Sequence, residues 1–216
     1  MTYLDKINKP RKGFELKEDP SDRGEGFMKS ASGFVIEIVK VIVISLAIII
    51  PVRYFLIQPF YVKGASMEPS FYDNEYLVID EISYRFSEPK RGDIIVFRYP
   101  QNESQFFIKR VIGLPGETVE IRNGHVVVSN DLYPRGQVLD ETDYLSEDVL
   151  TPGHDEVTLG SGQFYVLGDN REQSLDSRRI GPIDEKYVVG KTWLRAWPFS
   201  KWRIFDAPEY EFEAEQ

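Results

Sequence analysis

A serine at Ser66, in the stretch "YVKGASMEPSF" (Tyr61–Phe71), is flanked by Gly64, Ala65 and Met67, with Pro69 close behind. Two chemistries suit it. Serines beside glycine and proline are ordinary turn residues. A serine hydroxyl is also a nucleophile, once a neighbouring base takes its proton. The chain has two histidines, His125 beside an Asn-Gly pair and His154 in a Pro-Gly-rich segment. Both read as exposed loop residues, which leaves a Ser-His-Asp triad without an attractive histidine. Lysine is the other base. It works only when neutral, so its ordinary pKa of about 10.4 must fall by about 2–3 units, and burial among apolar side chains can supply that. Lys109, in "QFFIKRVIGLPG", stands among Phe106, Phe107, Ile108, Val111 and Ile112. Periodicity alone leaves a second reading open, a polar-face residue of a half-buried strand. There is no cysteine, so neither a disulfide framework nor a thiolate metal site can form.

These residues need elements to hold them. The most apolar run is "FVIEIVKVIVISLAIIIPVRYFL" (Phe34–Leu56), apolar on all faces from Val41 to Ile50. Lys40 and Arg53 can snorkel from opposite ends and lengthen the span. It reads as an uncleaved membrane anchor over residues 34–57, since no small-residue cleavage site follows it. The tail before it carries Lys6, Lys9, Arg11, Lys12, Lys17, Arg23 and Lys29, against Arg53 and Lys63 after it. The excess places the tail in the cytoplasm and the larger part of the chain outside the cytoplasmic membrane, with a single pass. Residues 1–33 are polar, rich in Gly, Pro and Ser, and read as a disordered tail.

Beyond the anchor the pattern changes to short runs of period 2. "EYLVIDEI" (Glu75–Ile82), "DIIVFRY" (Asp93–Tyr99), "QFFIKRVIG" (Gln105–Gly113), "TVEIR" (Thr118–Arg122), "HVVVS" (His125–Ser129), "QFYVLGD" (Gln163–Asp169) and "KYVVGKTWLRAW" (Lys186–Trp197) read as strands. Asn123-Gly124 is a type I′ hairpin signal. The expected fold is mainly β: one membrane helix, then an all-β extracytoplasmic domain of short antiparallel strands over 58–206, with an acidic tail over 207–216. The acidic, irregular stretch 132–156 reads as a surface insertion. The net charge of −9 argues against nucleic-acid binding.

Four windows, "GASMEPS", "RGDIIVF", "FIKRVIGLPGE" and "GDNREQSLDSR", follow the anchor in that order between Gly64 and Arg178. Together they resemble the bacterial type I signal peptidases, membrane-bound Ser-Lys endopeptidases that release exported proteins from their signal peptides. The resemblance leaves out the tail and residues 132–156. It implies Ser66 as nucleophile, with its backbone N–H in the oxyanion hole, and Lys109 as general base. It implies Ser174 as the serine that orients the lysine amine. Asp176 and Arg178 match a structural ion pair near the site, with Arg110 as a third member. Val62, Met67 and Ile108 match pocket-lining positions, which ordinary core packing would also explain. Some members carry a serine two residues before the nucleophile as second oxyanion donor; here that position is Gly64, and the second donor stays unassigned. The implied substrates are signal peptides of exported preproteins, cut after a small-x-small motif, with no metal or organic cofactor and a monomeric enzyme. Trp193, Trp197 and Trp202 read either as packing against the β body or as a surface that enters lipid headgroups. Two rivals are a self-cleaving repressor-type Ser-Lys peptidase, against which the anchor argues, and a non-enzymatic anchored β domain.

Overall fold

The structure is a computed structural model that describes residues 20–55, 58–154, 156–208 and 210. The chain divides into two compact units, Met1–Ile50 and Pro51–Gln216. In the first, helix α1 begins; it runs over Pro20–Phe55. Its window Gly33–Ile50 is 18 residues long, has mean hydropathy 2.7 and is buried nowhere in the structure. At about 1.5 Å per residue such a helix is long and apolar enough to cross a bilayer core of about 30 Å when its ends extend it. The helix starts earlier than hydropathy marks it, and takes in residues 20–33 of the stretch read as disordered tail. Helix growth from a formed segment is far easier than nucleation, so an apolar helix draws neighbouring polar residues into it. Pro20 suits the first turn, where its missing N–H has no partner to lose. Residues 1–19 of the expected tail, 56–57 of the expected anchor, and 209 and 211–216 of the acidic tail lie outside the described residues.

Among the described residues, the second unit has twelve strands. They are β1 (Gln58–Tyr61), β2 (Tyr76–Asp80), β3 (Ile94–Tyr99), β4 (Asn102–Gly113), β5 (Thr118–Arg122), β6 (His125–Ser129), β7 (Gln137–Val138), β8 (Glu156–Thr158), β9 (Gln163–Leu167), β10 (Ile183–Asp184), β11 (Val188–Trp197) and β12 (Arg203–Ile204). One helical turn, α2 (Ser177–Ile180), follows β9. An eight-stranded sheet runs β1-β2-β11-β3-β4-β9-β10, with β12 beside β11; a four-stranded sheet runs β7-β6-β5-β8. The pairings are antiparallel. The β5–β6 turn has φ of 53° at Asn123 and 81° at Gly124, the left-handed pair that a type I′ turn requires.

Alternation along the strands sorts the core. Ile94 and Val96 of β3 join Leu77 and Ile79 of β2 under the Ser66 loop, where Val62, Met67 and Phe71 complete the cluster. Ile95 and Phe97 point the other way and pack with Val111, Phe164, Val166 and Ile183. The far end of β4 supplies Ile112 to a third cluster, against Val119, Val126, Val128 and Leu159. The stretch 132–156 is more than the surface insertion its composition implies. Leu139, Leu145 and Thr151 are buried in it, β7 lies wholly within it, and β8 begins at its end. Single apolar anchors separated by acids leave no period to read, so this packing has no local signature.

Candidate active site

Lys109 lies near the middle of β4, opposite Ile95 of β3. It is 3% exposed. Its amine is 2.7 Å from Ser66 Oγ and 2.7 Å from the carbonyl oxygen of Ile108. Burial pulls its pKa down to about 8, against the opposing pull of the Asp176 and Asp169 carboxylates. As an ammonium it donates to Oγ. Once neutral, the same contact lets it accept the serine proton.

Ser66 sits in the loop after β1. Gly64 opens that loop at φ 92°, a left-handed conformation with no side chain near enough to meet an added Cβ. Its N–H donates to Asp73 Oδ1 at 2.7 Å, so while that bond stands Gly64 does not supply a second oxyanion donor through its backbone. Among the described residues, no group accepts a hydrogen bond from the Ser66 N–H. The loop is pinned from behind by Asn170. Its N–H donates to the Ser66 carbonyl at 3.1 Å, and its side-chain amide donates to the Ala65 carbonyl at 3.1 Å. Gly168 makes this approach possible. A Cβ there would stand 2.4 Å from the Ser66 carbonyl and 2.2 Å from Ser174 Oγ.

Asp176 is fully buried and caps α2. It accepts from Arg178 Nε at 2.8 Å and Nη2 at 2.7 Å, and from the Gly168 N–H at 3.0 Å. Burial alone would raise its pKa; the bonds from Arg178 and Gly168 outweigh that and hold it low. Ser174 is buried beside Gly168. Its hydroxyl has no well-formed hydrogen bond, though it is near enough to Asp176 to favour the ionised carboxylate. The structure does not join Ser174 to the lysine amine, whose partners are Ser66 and Ile108.

The expected place of Arg110 is corrected. It does not join the Asp176–Arg178 pair but makes its own with Asp169, Nε to Oδ1 at 2.9 Å and Nη2 to Oδ2 at 2.7 Å. Consecutive strand residues face opposite sides, so Arg110 is turned away from the side Lys109 faces. Nη1 also donates to the Gly92 carbonyl at 3.0 Å. Burial opposes the charge of Arg110, yet the Asp169 carboxylate more than offsets it and raises the pKa.

A cleft of about 340 Å³ opens over Ser66 and Lys109. Val62 and Ile108 line it together with Phe60, Leu77, Val96 and Phe106. Met67 does not: it is 1% exposed and belongs to the core under the loop. Trp193, Trp197 and Trp202 are 41%, 49% and 57% exposed. Trp197 meets Phe199 edge-on at 5.0 Å. His125 and His154 are exposed, and no cluster of metal-ligating side chains occurs among the described residues.

Sequence reading gave Gly168 and Asn170 no role. The "GDNREQSLDSR" window already held Asn170.

Residues 35–197 match the family described as signal peptidase, peptidase S26. A probable signal peptidase I-1 of Synechocystis sp. is 36% identical over 179 residues, which cover 78% of this chain and 86% of that protein. A signal peptidase IB of Staphylococcus aureus is 34% identical over 185 residues, covering 78% of this chain and 92% of that one. A crystal structure of a signal peptidase I from Enterococcus faecalis is 32% identical, covers 49% of this chain and 97% of that chain, and superposes with a TM-score of 0.40.

Proposed function

The chain belongs to the signal peptidase family, peptidase S26, and on that premise we propose that it removes signal peptides from exported preproteins through a Ser66–Lys109 dyad. The observation that carries the reading is the 2.7 Å approach of a buried lysine amine to the Ser66 hydroxyl. Neutral Lys109 takes the Ser66 proton as Oγ attacks the scissile carbonyl. The tetrahedral oxyanion is stabilised by the Ser66 N–H. The resulting ammonium protonates the leaving amine, and the C–N bond breaks. The signal peptide stays as an ester on Ser66 while the mature protein leaves. Lys109, neutral again, then activates water, which hydrolyses the ester. Asn170 holds the loop and the Asp176–Arg178 pair steadies the segment carrying Ser174. Val62 and Ile108 help bound pockets that admit small side chains, and bulk is excluded by clash.

The apolar helix α1 fits a single-pass anchor in the cytoplasmic membrane. The lysine and arginine excess ahead of it fits a cytoplasmic N-terminus. The exposed tryptophans fit a surface that enters lipid headgroups. Tryptophan fluorescence of the detergent-free domain 58–216 is expected to shift to the blue on adding lipid vesicles; an unchanged spectrum counts against the tryptophan surface.

The central test uses the full chain in detergent and a secretory precursor with a small-x-small site. Wild type is expected to cut after that site, and Ser66→Ala and Lys109→Ala to lose at least about 10³-fold in kcat. Cutting by Lys109→Ala at the wild-type rate would remove the dyad.

A further inference from the structure

Behind the cleft, a residue from the acidic stretch closes over the arginine beside Lys109. The ring of Tyr144 stacks on the Arg110 guanidinium, 3.8 Å from its centroid. Two hydrogen bonds hold the ring there. Its hydroxyl donates to Glu141 Oε1 at 2.7 Å and accepts from Tyr210 at 3.2 Å. Glu141 in turn grips the buried Arg171, Nη1 to Oε2 at 2.7 Å and Nη2 to Oε1 at 2.5 Å.

What lies under the ring reaches both reacting groups. Arg110 is next to Lys109 on β4 and holds Asp169 with two bonds. Asp169 is followed by Asn170, which carries the Ser66 and Ala65 carbonyls. The Arg110–Asp169 pair therefore fastens the lysine strand to the serine loop. An aromatic face over a guanidinium attracts the charge and keeps water from it. With water excluded, the pair beneath is stronger and its geometry narrower.

Resting on the Ser66–Lys109 reading, we propose that Tyr144 is a positioning residue. By covering the Arg110–Asp169 pair it holds the lysine strand and the serine loop at reacting distance. Part of the catalytic geometry is thus supplied by the stretch 132–156, outside the four sequence windows.

Two consequences separate this role from simple packing. Loosening the pair costs turnover more than binding, because a small misplacement of amine from hydroxyl acts on the chemical step. It also changes the electrostatics at Lys109. The carboxylates that act on the amine are Asp176, paired with Arg178, and Asp169, paired with Arg110. Arg110 itself meets Asp169, Tyr144, Tyr210, Ser70 Oγ and the Gly92 carbonyl. When Arg110 holds Asp169 less tightly, more of the Asp169 charge reaches Lys109 and favours its ammonium.

The test follows precursor cleavage by the full chain in detergent across pH, for wild type, Tyr144→Ala, Tyr144→Phe and Ser66→Ala. Tyr144→Ala is expected to lower kcat about tenfold with KM within about twofold. The acid limb of its kcat profile is expected to move to higher pH by about half a unit. Tyr144→Phe keeps the ring and is expected to recover most of the rate. The inference is overturned by wild-type kcat in Tyr144→Ala, by a loss with the acid limb unmoved, or by a Phe variant as poor as Ala. Should Tyr144→Ala fail to fold, Tyr144→Leu is read against the same limb, whose position does not depend on the folded fraction. Wild-type cutting by Ser66→Ala would bring down the dyad itself. A dead Ser66→Ala with a wild-type Tyr144→Ala brings down only the role of Tyr144.

Discussion

Two neighbours on β4, Lys109 and Arg110, are each 3% exposed, yet burial leads them to opposite chemistry. Lys109 faces a hydroxyl and a carbonyl, and no carboxylate bonds to its amine. Desolvation therefore dominates and makes the neutral amine accessible. Arg110 meets Asp169 in a two-bond fork and stays charged. The difference teaches that burial alone does not set the charge of a side chain. The partner within hydrogen-bond reach decides, and here the decision changes across one peptide bond because the strand turns successive side chains to opposite faces. One side of β4 is left short of compensation, which is what the proposed base would need. The other is over-compensated, which is what a scaffold needs.

The sharpest way to break this contrast is to remove each charge in turn. Lys109→Met keeps the bulk and deletes the charge. Activity on a precursor is expected to fall at least about 10³-fold, while Tm measured at pH 7 stays level or rises, because an uncompensated buried charge is gone. A marked drop in Tm would show that the lysine is structural. Arg110→Met leaves Asp169 buried without its partner, and is expected to destabilise the β domain by about 3–5 kcal/mol in denaturant melts. A loss below about 1 kcal/mol would make the two sides of β4 energetically alike.

The smallest effect is the dependence on pH. Folded Lys109 gives up its proton near pH 8, and an unfolded lysine near 10.5. Between these values the unfolded chain holds the extra proton, so the stability of wild type rises with pH relative to Lys109→Met. The full gain is about 3 kcal/mol, complete above pH 10.5 and absent below pH 8. Parallel melts of the two proteins over that window check it; curves that stay parallel would mean that Lys109 is not desolvated.

Much of this was legible in the residues. The strand periods of "DIIVFRY" and "TVEIR" gave strands within one residue of those observed, since alternation is a local property. Ser66 and Lys109 were legible as candidates because each has a local mark, a Gly- and Pro-flanked serine and a lysine in an apolar run. For Met67 the sequence left pocket wall and core side by side, since the two share one composition, and the structure puts it in the core. Arg110 was assigned to the wrong carboxylate. Asp169 and Asp176 stand in the same window, and only the facing of the strand chooses between them.

By itself, the sequence determined the apolar helix and the run of antiparallel strands, and marked one serine and one lysine as candidates. These follow from period, apolar run length and residue type, all of which act over a few residues. Only the tertiary structure decided that the amine lies 2.7 Å from the hydroxyl, that Asp169 belongs to Arg110, and that Tyr144 closes over that pair. Those contacts join residues 43, 59 and 34 positions apart. Nothing local encodes such a contact; the packing of strands against loops sets it, and with it the dielectric that tunes the lysine.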